Sequence, residues 1–280
     1  MAIITFWSNE KNETAQTLSM AAVATYMAIE HNYKILILST KYQDKTLEEC
    51  FWDLSKSKAL IREITGNKKV SLDSGIDGLI KIIASNKTSP EIVTNYTKIV
   101  FKDRLDVLFS TEESKTEEEY MGVKKIYPEI IKTANQYYDL VFVDLNKGLD
   151  EEYNKEILEM SDVIMVNLTQ RLRLINDFAK LREEEEFLKK RNIMLLLGRY
   201  DKFSKYSVKN IARFYHMKKE PLDVPYNTLF FEACSEGKIA DFFLRMHNLD
   251  KADRNAVFIQ EVKKIAESII YKLQELQTRI

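Results

Sequence analysis

The sequence predicts an α/β protein: a doubly wound, mostly parallel β-sheet of about seven strands with helices on both faces. Three observations predict it. Short aliphatic and β-branched runs recur along the chain, and most are nearly continuous in apolar character instead of alternating, as in strands buried on both faces. Helical stretches separate these runs, the order expected of βαβ crossovers. Glycines number seven and prolines four in 280 residues, few enough to argue against long linkers.

Taken in order, the strands are "AIITFW" (2–7), "KILILS" (34–39), "LDVLFS" (105–110), "YDLVFVDL" (138–145), "DVIMVNLT" (162–169), "NIMLLLGR" (192–199) and "LDVPYN" (222–227). Helices are expected over Thr17–His31, Gly122–Gln136, Asn146–Met160 and Leu172–Lys190. The C-terminal segment carries Val257, Phe258, Val262, Ile265, Ile269, Leu273 and Leu276 at helical spacing, the pattern of a helix docked on the sheet. Residues from about 46 to 102 exceed one crossover and read as a helical elaboration. The acidic runs at 111–120 and 181–190 read as solvated faces. A single domain over 1–280 is expected, with the first strand starting almost at Met1.

Composition narrows the function classes. Apolar residues make up 45% and charged residues 30%, which excludes a disordered chain. A formal net charge of -1 supplies no bulk attraction to nucleic acid or anionic membrane. One basic segment, with Arg199, Lys202, Lys205, Lys209, Arg213, Lys218 and Lys219, leaves a local patch open. Cys50 and Cys234 lack metal-ligand spacing and read as buried reduced thiols. His31, His216 and His247 are isolated. No apolar run approaches the roughly 20 residues that span a bilayer, and no secretory signal is present, so a cytoplasmic location is expected.

In an open α/β sheet, ligands sit outside the carboxyl ends of the strands. The first such place is the loop after Trp7, "SNEKNETAQT" (8–17), which leads into the helix "LSMAAVATYMA". Phosphate loops use glycine because backbone N–H groups close around phosphate oxygens at a helix N-terminus. This loop has none.

Here the chain resembles the ParA/MinD family of deviant-Walker P-loop ATPases, over nearly its whole length. That family reads Lys-Gly-Gly-x-Gly-Lys-Thr before an alanine-rich helix, and the helix sets the register. Lys11 then stands at the first lysine, which in the family crosses a dimer interface to the partner's nucleotide. Asn12, Glu13 and Ala15 replace the three glycines, Thr14 takes the variable place, Gln16 replaces the phosphate-gripping lysine, and Thr17 keeps the magnesium-ligand hydroxyl. After the second strand the family commonly has Asp-x-Asp, with an acid that activates water. This chain has Ser39 and Lys41 there, with Asp44 nearby. "YDLVFVDLNKG" resembles the switch strand, with Asp144 at the magnesium-linked aspartate and Gly148 beyond it.

The resemblance therefore implies a vestigial nucleotide site at Lys11, Asn12, Glu13, Thr14, Ala15, Gln16, Thr17 and Asp144, with Thr17 and Asp144 as the magnesium ligands. Both have structural readings as well, Thr17 as a helix-start residue and Asp144 as a buried strand end. Replacing lysine by Gln16 forfeits an attraction of about 4 kcal/mol at 4 Å and an effective dielectric near 20, roughly a thousandfold in affinity. Glu13 adds a carboxylate where phosphate would lie. ATP and magnesium are thus implied at most weakly, ATPase activity at most as very weak, and no catalytic residue is assigned.

The opening "FWS" and the altered loop look most like the TadZ/CpaE branch, which helps place or assemble Tad-type pilus machinery. This implies a localisation or assembly factor working through protein partners, as a homodimer, at the inner face of the membrane or a cell pole. Two alternatives stand beside it. One is an active, dimerising ATPase with a rebuilt loop, and the other a DNA-associated partitioning factor.

Overall fold

The computed structural model describes residues 1–10, 13–54, 75–84, 89–110, 116, 122–149, 152–247, 249–250 and 252–278. Lys11 and Asn12 lie outside the described residues, as do most of the acidic run at 111–120 and much of the elaboration expected at about 46–102.

All seven expected strands form: β1 (Ala2–Trp7), β2 (Ile35–Ser39), β4 (Leu105–Leu108), β5 (Leu140–Asp144), β6 (Val163–Leu168), β7 (Ile193–Tyr200) and β8 (Leu222–Pro225). An eighth, β3 (Thr97–Phe101), falls inside the segment read as helical elaboration. The sheet order is β3-β4-β2-β5-β1-β6-β7-β8, and only β3 runs antiparallel to its neighbour. Edge strand β3 lacked the expected signal because its "TKIVF" is half-exposed, with Ile99 facing solvent.

Successive residues of a strand point to opposite faces, and the inner strands are apolar on both. Along β1, Ala2, Ile4 and Phe6 enter one core while Ile3 and Trp7 enter the other. The first core lies under α1 (Gln16–Glu30), α2 (Thr46–Glu49), α9 (Thr228–Ser235), α10 (Ile239–Met246) and α11 (Ala256–Gln277). The second lies under α3 (Ile76–Ala84), a 3-10 turn at Pro90–Tyr96, α4 (Tyr127–Ala134), α5 (Glu152–Met160), α6 (Leu172–Glu184) and α8 (Val208–Phe214). Helix α1 is buried along almost its whole length. Small residues such as Ala21, Ala22 and Ala24 let it lie between the sheet and α11.

Several expected helices are shorter than their patterns. Pro128 sits in the first turn of α4, where its fixed φ starts a helix rather than continuing one. Residues 146–149 form a loop ahead of α5, organised by Asn154, whose Nδ2 donates to the Lys147 and Gly148 carbonyls at 3.2 and 3.1 Å. The helix expected over Leu172–Lys190 breaks at Glu185, inside a run of four glutamates. A short α7 (Glu186–Lys189) then buries Leu188. In α11, Val257 faces solvent while Phe258, Val262, Ile265 and Ile269 are buried. No helix among the described residues is long and apolar enough to cross a membrane.

Cys50 and Cys234, far apart in sequence, meet in the first core as free thiols. Strand β2 leads into α2, whose end docks on the α9–α10 turn, where Ile239 N donates to the Cys50 carbonyl at 3.1 Å. Gly237 makes that approach possible, since a Cβ there would lie 2.4 Å from the Trp52 carbonyl carbon. The Cys50 thiol is raised well above its ordinary pKa by its hydrogen bond with Cys234 and by burial.

Candidate functional site

Parallel strands bring Trp7, Ser39, Asp144, Leu168, Tyr200 and Pro225 to one edge of the sheet. Over that edge lies the β1–α1 loop. Ser8 Oγ accepts Glu10 N at 3.2 Å, turning the chain as it leaves β1. Glu13 Oε2 is 2.5 Å from Arg171 Nη1, an exposed ion pair that ties the loop to the start of α6. Thr14 is buried, and its carbonyl lies where a Cβ on Gly198 of β7 would be only 2.0 Å away. Ala15 is left-handed, with φ 51° and ψ 33°, and caps α1 without a side-chain hydrogen bond. The left-handed turn into the helix is thus present with alanine where glycine would be unstrained.

Gln16 does not point into the loop. It is 6% exposed, and its Nε2 lies 2.9 Å from the Phe6 carbonyl, 2.8 Å from the Leu145 carbonyl and 2.7 Å from Asp144 Oδ1. Two N–H groups serve three acceptors, so one bond is shared. The amide pins the end of β1 to the end of β5.

Asp144 is fully buried and every acceptor direction of its carboxylate is in use. Oδ1 receives Gln16 Nε2 and, at 2.9 Å, the ammonium of Lys41. Oδ2 receives Thr17 Oγ1 at 2.7 Å and Ser39 Oγ at 3.1 Å. Lys41 Nζ also donates to Thr17 Oγ1 at 2.7 Å, so the threonine hydroxyl donates to the carboxylate and accepts from the ammonium. Thr17 therefore acts across the sheet edge and does not cap its helix. The Lys41 side chain is 20% exposed and that of Asp144 only 1%. A carboxylate so buried would cost several kcal/mol unpaired; here it has a cation and three neutral donors.

A divalent ion at Thr17 and Asp144 would need oxygen lone pairs that these bonds already use. Among the described residues no group of three or more His, Cys, Asp or Glu side chains could hold a metal. Asp44 is elsewhere: its Oδ1 accepts Thr46 N at 2.9 Å in the turn before α2. The switch-like loop is fixed from Thr40, whose Oγ1 accepts Asn146 N at 2.9 Å.

Beside the loop, a cavity of about 270 Å³ is lined by Ala15, Leu18, Ser19, Val224, Tyr226 and Phe230, among others. Ser19 Oγ is buried there without a protein partner among the described residues. Phe230, Phe242 and Phe243 pack with Phe258 in the core, whereas Phe231 is 45% exposed at the cavity wall. The seven basic residues of the 199–219 segment are all exposed. His247 pairs with Glu30 at 2.6 Å between Nδ1 and Oε1, which joins α10 to α1.

The site thus unites Gln16, Thr17 and Asp144 with Ser39 and Lys41, while Glu13 turns outward. In the sequence Ser39 and Lys41 stand out only as places where the resemblance expects acids; that both carry donors was the available signal, and the pairing of β2 with the Asp144 strand is visible only in the sheet. Arg171, Thr40 and Asn154 carried no signal at all.

No family model matches the sequence, and no curated protein matches it significantly. Solved structures do match. A ParA family ATPase from Chlorobium tepidum TLS superposes with a TM-score of 0.67 at 15% identity, covering 95% of this chain and 97% of that one. The septum site-determining protein MinD from Pyrococcus horikoshii OT3, solved with Mg-ADP, gives 0.65 at 16% identity over 97% and 98%. A chain of the MinC:MinD cell division protein complex from Aquifex aeolicus gives 0.56 at 16% identity over 91% and 99%. Likeness at this identity establishes the fold. The strand order, the helices on both faces and these superpositions show that the chain has the ParA/MinD-like P-loop ATPase fold.

Proposed function

We propose that this chain is a catalytically degenerate ParA/MinD-fold protein, one domain over 1–280, that works as a localisation or assembly factor through protein partners. The observation that carries this reading is the closed network on Asp144. Gln16, Ser39 and Lys41 each differ from the family pattern, and all three donate to the same carboxylate. Positions that would grip phosphate, ligate magnesium or activate water serve instead to join β1, β2, β5 and α1. The residues Lys11 to Thr17 and Asp144 are on this reading a vestigial nucleotide site, without ATP or magnesium at working concentrations.

The fold has a precedent for partner binding in the MinC:MinD complex. By likeness we infer a homodimer that meets its partners at the inner face of the membrane or a cell pole. The TadZ/CpaE resemblance makes a Tad-type pilus or secretion machine the partner to look for. Titration calorimetry with millimolar ATP and magnesium is expected to show no saturable heat. Saturable binding would favour the active, rebuilt ATPase instead. Affinity capture from the native host is expected to recover pilus or secretion components, and capture that recovers none removes the pilus assignment.

One observation favours a second reading, a DNA-associated partitioning factor. Arg199, Lys202, Lys205, Lys209, Arg213, Lys218 and Lys219 are exposed, and Phe203 and Phe214 among them are 85% and 67% exposed. Duplex binding that weakens steeply with salt would support it; binding that is absent or indifferent to salt removes it.

A further inference from the structure

We propose that Lys41 is a resident internal cation, its ammonium taking the place of a divalent metal between Asp144 and Thr17, so that this edge of the sheet is assembled without metal. The inference rests on the reading of a site that does not turn over nucleotide. Its support is geometric. Lys41 Nζ is 2.9 Å from one carboxylate oxygen and 2.7 Å from the threonine hydroxyl, the two groups that the family resemblance assigns to magnesium. Ser39 completes the shell on Oδ2.

The charge count agrees. One buried carboxylate meets one ammonium, and position 16 is an uncharged amide. A lysine at 16 would place a second ammonium beside the first, with a single carboxylate to neutralise both. Gln16 and Lys41 are therefore complementary: the cation enters from the end of β2 rather than from the loop. Backbone placement supports this, because Ser39 and Asp144 are register neighbours and Lys41 N lies 3.3 Å from Ser39 Oγ. Lys41 is thus held within reach of the carboxylate by the sheet itself. The same ammonium donates to Thr17 Oγ1, filling the oxygen lone pair that a metal would take.

The test is thermal unfolding of the full chain with and without millimolar Mg²⁺ or Mn²⁺, and without nucleotide. Wild type is expected to melt at the same temperature in both. Lys41→Met strips the cation from a buried carboxylate and is expected to lower Tm by roughly 5–10 °C. Divalent metal should restore part of that loss, since it opens Asp144, Thr17 and Ser39 to an outside ion. Lys41→Met combined with Asp144→Asn removes both charges; it is expected to melt above Lys41→Met and to ignore the metal. Should Lys41→Met not fold without metal, refolding only when Mn²⁺ is supplied is the same positive result.

The proposal is overturned if wild type is stabilised by metal as much as the variant, if Lys41→Met melts like wild type, or if metal does nothing for it. None of these melts contains ATP. A failure here is therefore distinct from failure of the functional reading, which calorimetry with ATP decides.

Discussion

Lys41 Nζ lies 2.9 Å from Asp144 Oδ1, across the ends of two strands that are neighbours in the sheet but more than a hundred residues apart in the chain. The pair is asymmetric: the carboxylate is sealed in while the lysine side chain keeps 20% of its surface exposed. Around it, Gln16 supplies a neutral donor that reaches β1 and β5 together. Strength in such a network comes from complete satisfaction, because each missing donor leaves a buried acceptor exposed to its full desolvation cost.

Gln16 accordingly has a measurable structural role. Gln16→Ala leaves the Phe6 and Leu145 carbonyls and Asp144 Oδ1 short of a donor, and is expected to cost about 2–4 kcal/mol in urea unfolding. Gln16→Glu is expected to cost more, because it sets a second carboxylate against Asp144 and two carbonyl oxygens. Equal stability of the three proteins would show that the amide is not a joint.

Strain in the loop is localised at Ala15. Its left-handed backbone costs an alanine roughly 1 kcal/mol relative to its ordinary conformations, so Ala15→Gly is expected to stabilise by up to about 1 kcal/mol, offset in part by the freer unfolded chain. Gly198→Ala should act oppositely and more strongly, since its Cβ would fall 2.0 Å from the Thr14 carbonyl oxygen. Chemical denaturation of both variants checks the pair.

Asp223 on β8 is 6% exposed, and burial, with Glu261 adding repulsion and Lys264 opposing it, raises its pKa to about 6. A carboxyl whose folded pKa lies above its unfolded value of 3.8 favours folding when protonated. That contribution is fully present below about pH 3.8 and is lost as pH rises through about 6. Asp223→Asn is therefore expected to stabilise by roughly 2–3 kcal/mol at pH 7–8, with the advantage fading as pH falls through about 6 and gone below about 3.8. A gain independent of pH would refute ionisation as its cause.

The two thiols provide a probe of core integrity. With Cys50 buried and its pKa raised, and Cys234 packed against it, the native protein is expected to react negligibly with a disulfide reagent at pH 8. Both should react at once in denaturant. Prompt labelling of the native chain would place α2 away from the α9–α10 turn.

Much of the fold was legible because a parallel sheet writes itself into its strands. Runs such as "LVFV" and "VIMV" are apolar on both faces, and that continuity is visible at any single strand. Strand β3 escaped because an edge strand next to solvent lacks that continuity. The shortening of helices followed from local chemistry that the apolar period does not carry, a late start at Pro128 and an early end within the glutamates around Glu185.

For the site, sequence alone determined its place after β1, a loop without glycine that carries Gln16 before Thr17, and Asp144 at a strand end. What those side chains do could not be read locally. Residues 16, 17, 39, 41 and 144 meet only because β5 lies between β1 and β2 in the sheet, and hydrogen bonds act over about 3 Å of space regardless of chain separation. Tertiary structure decided that Gln16 faces inward, that Thr17 is a bridge rather than a cap, and that Lys41 fills the shell of Asp144. The reason is physical: a buried carboxylate must be neutralised and fully hydrogen-bonded by whatever the fold brings to it, and here the fold brings a lysine.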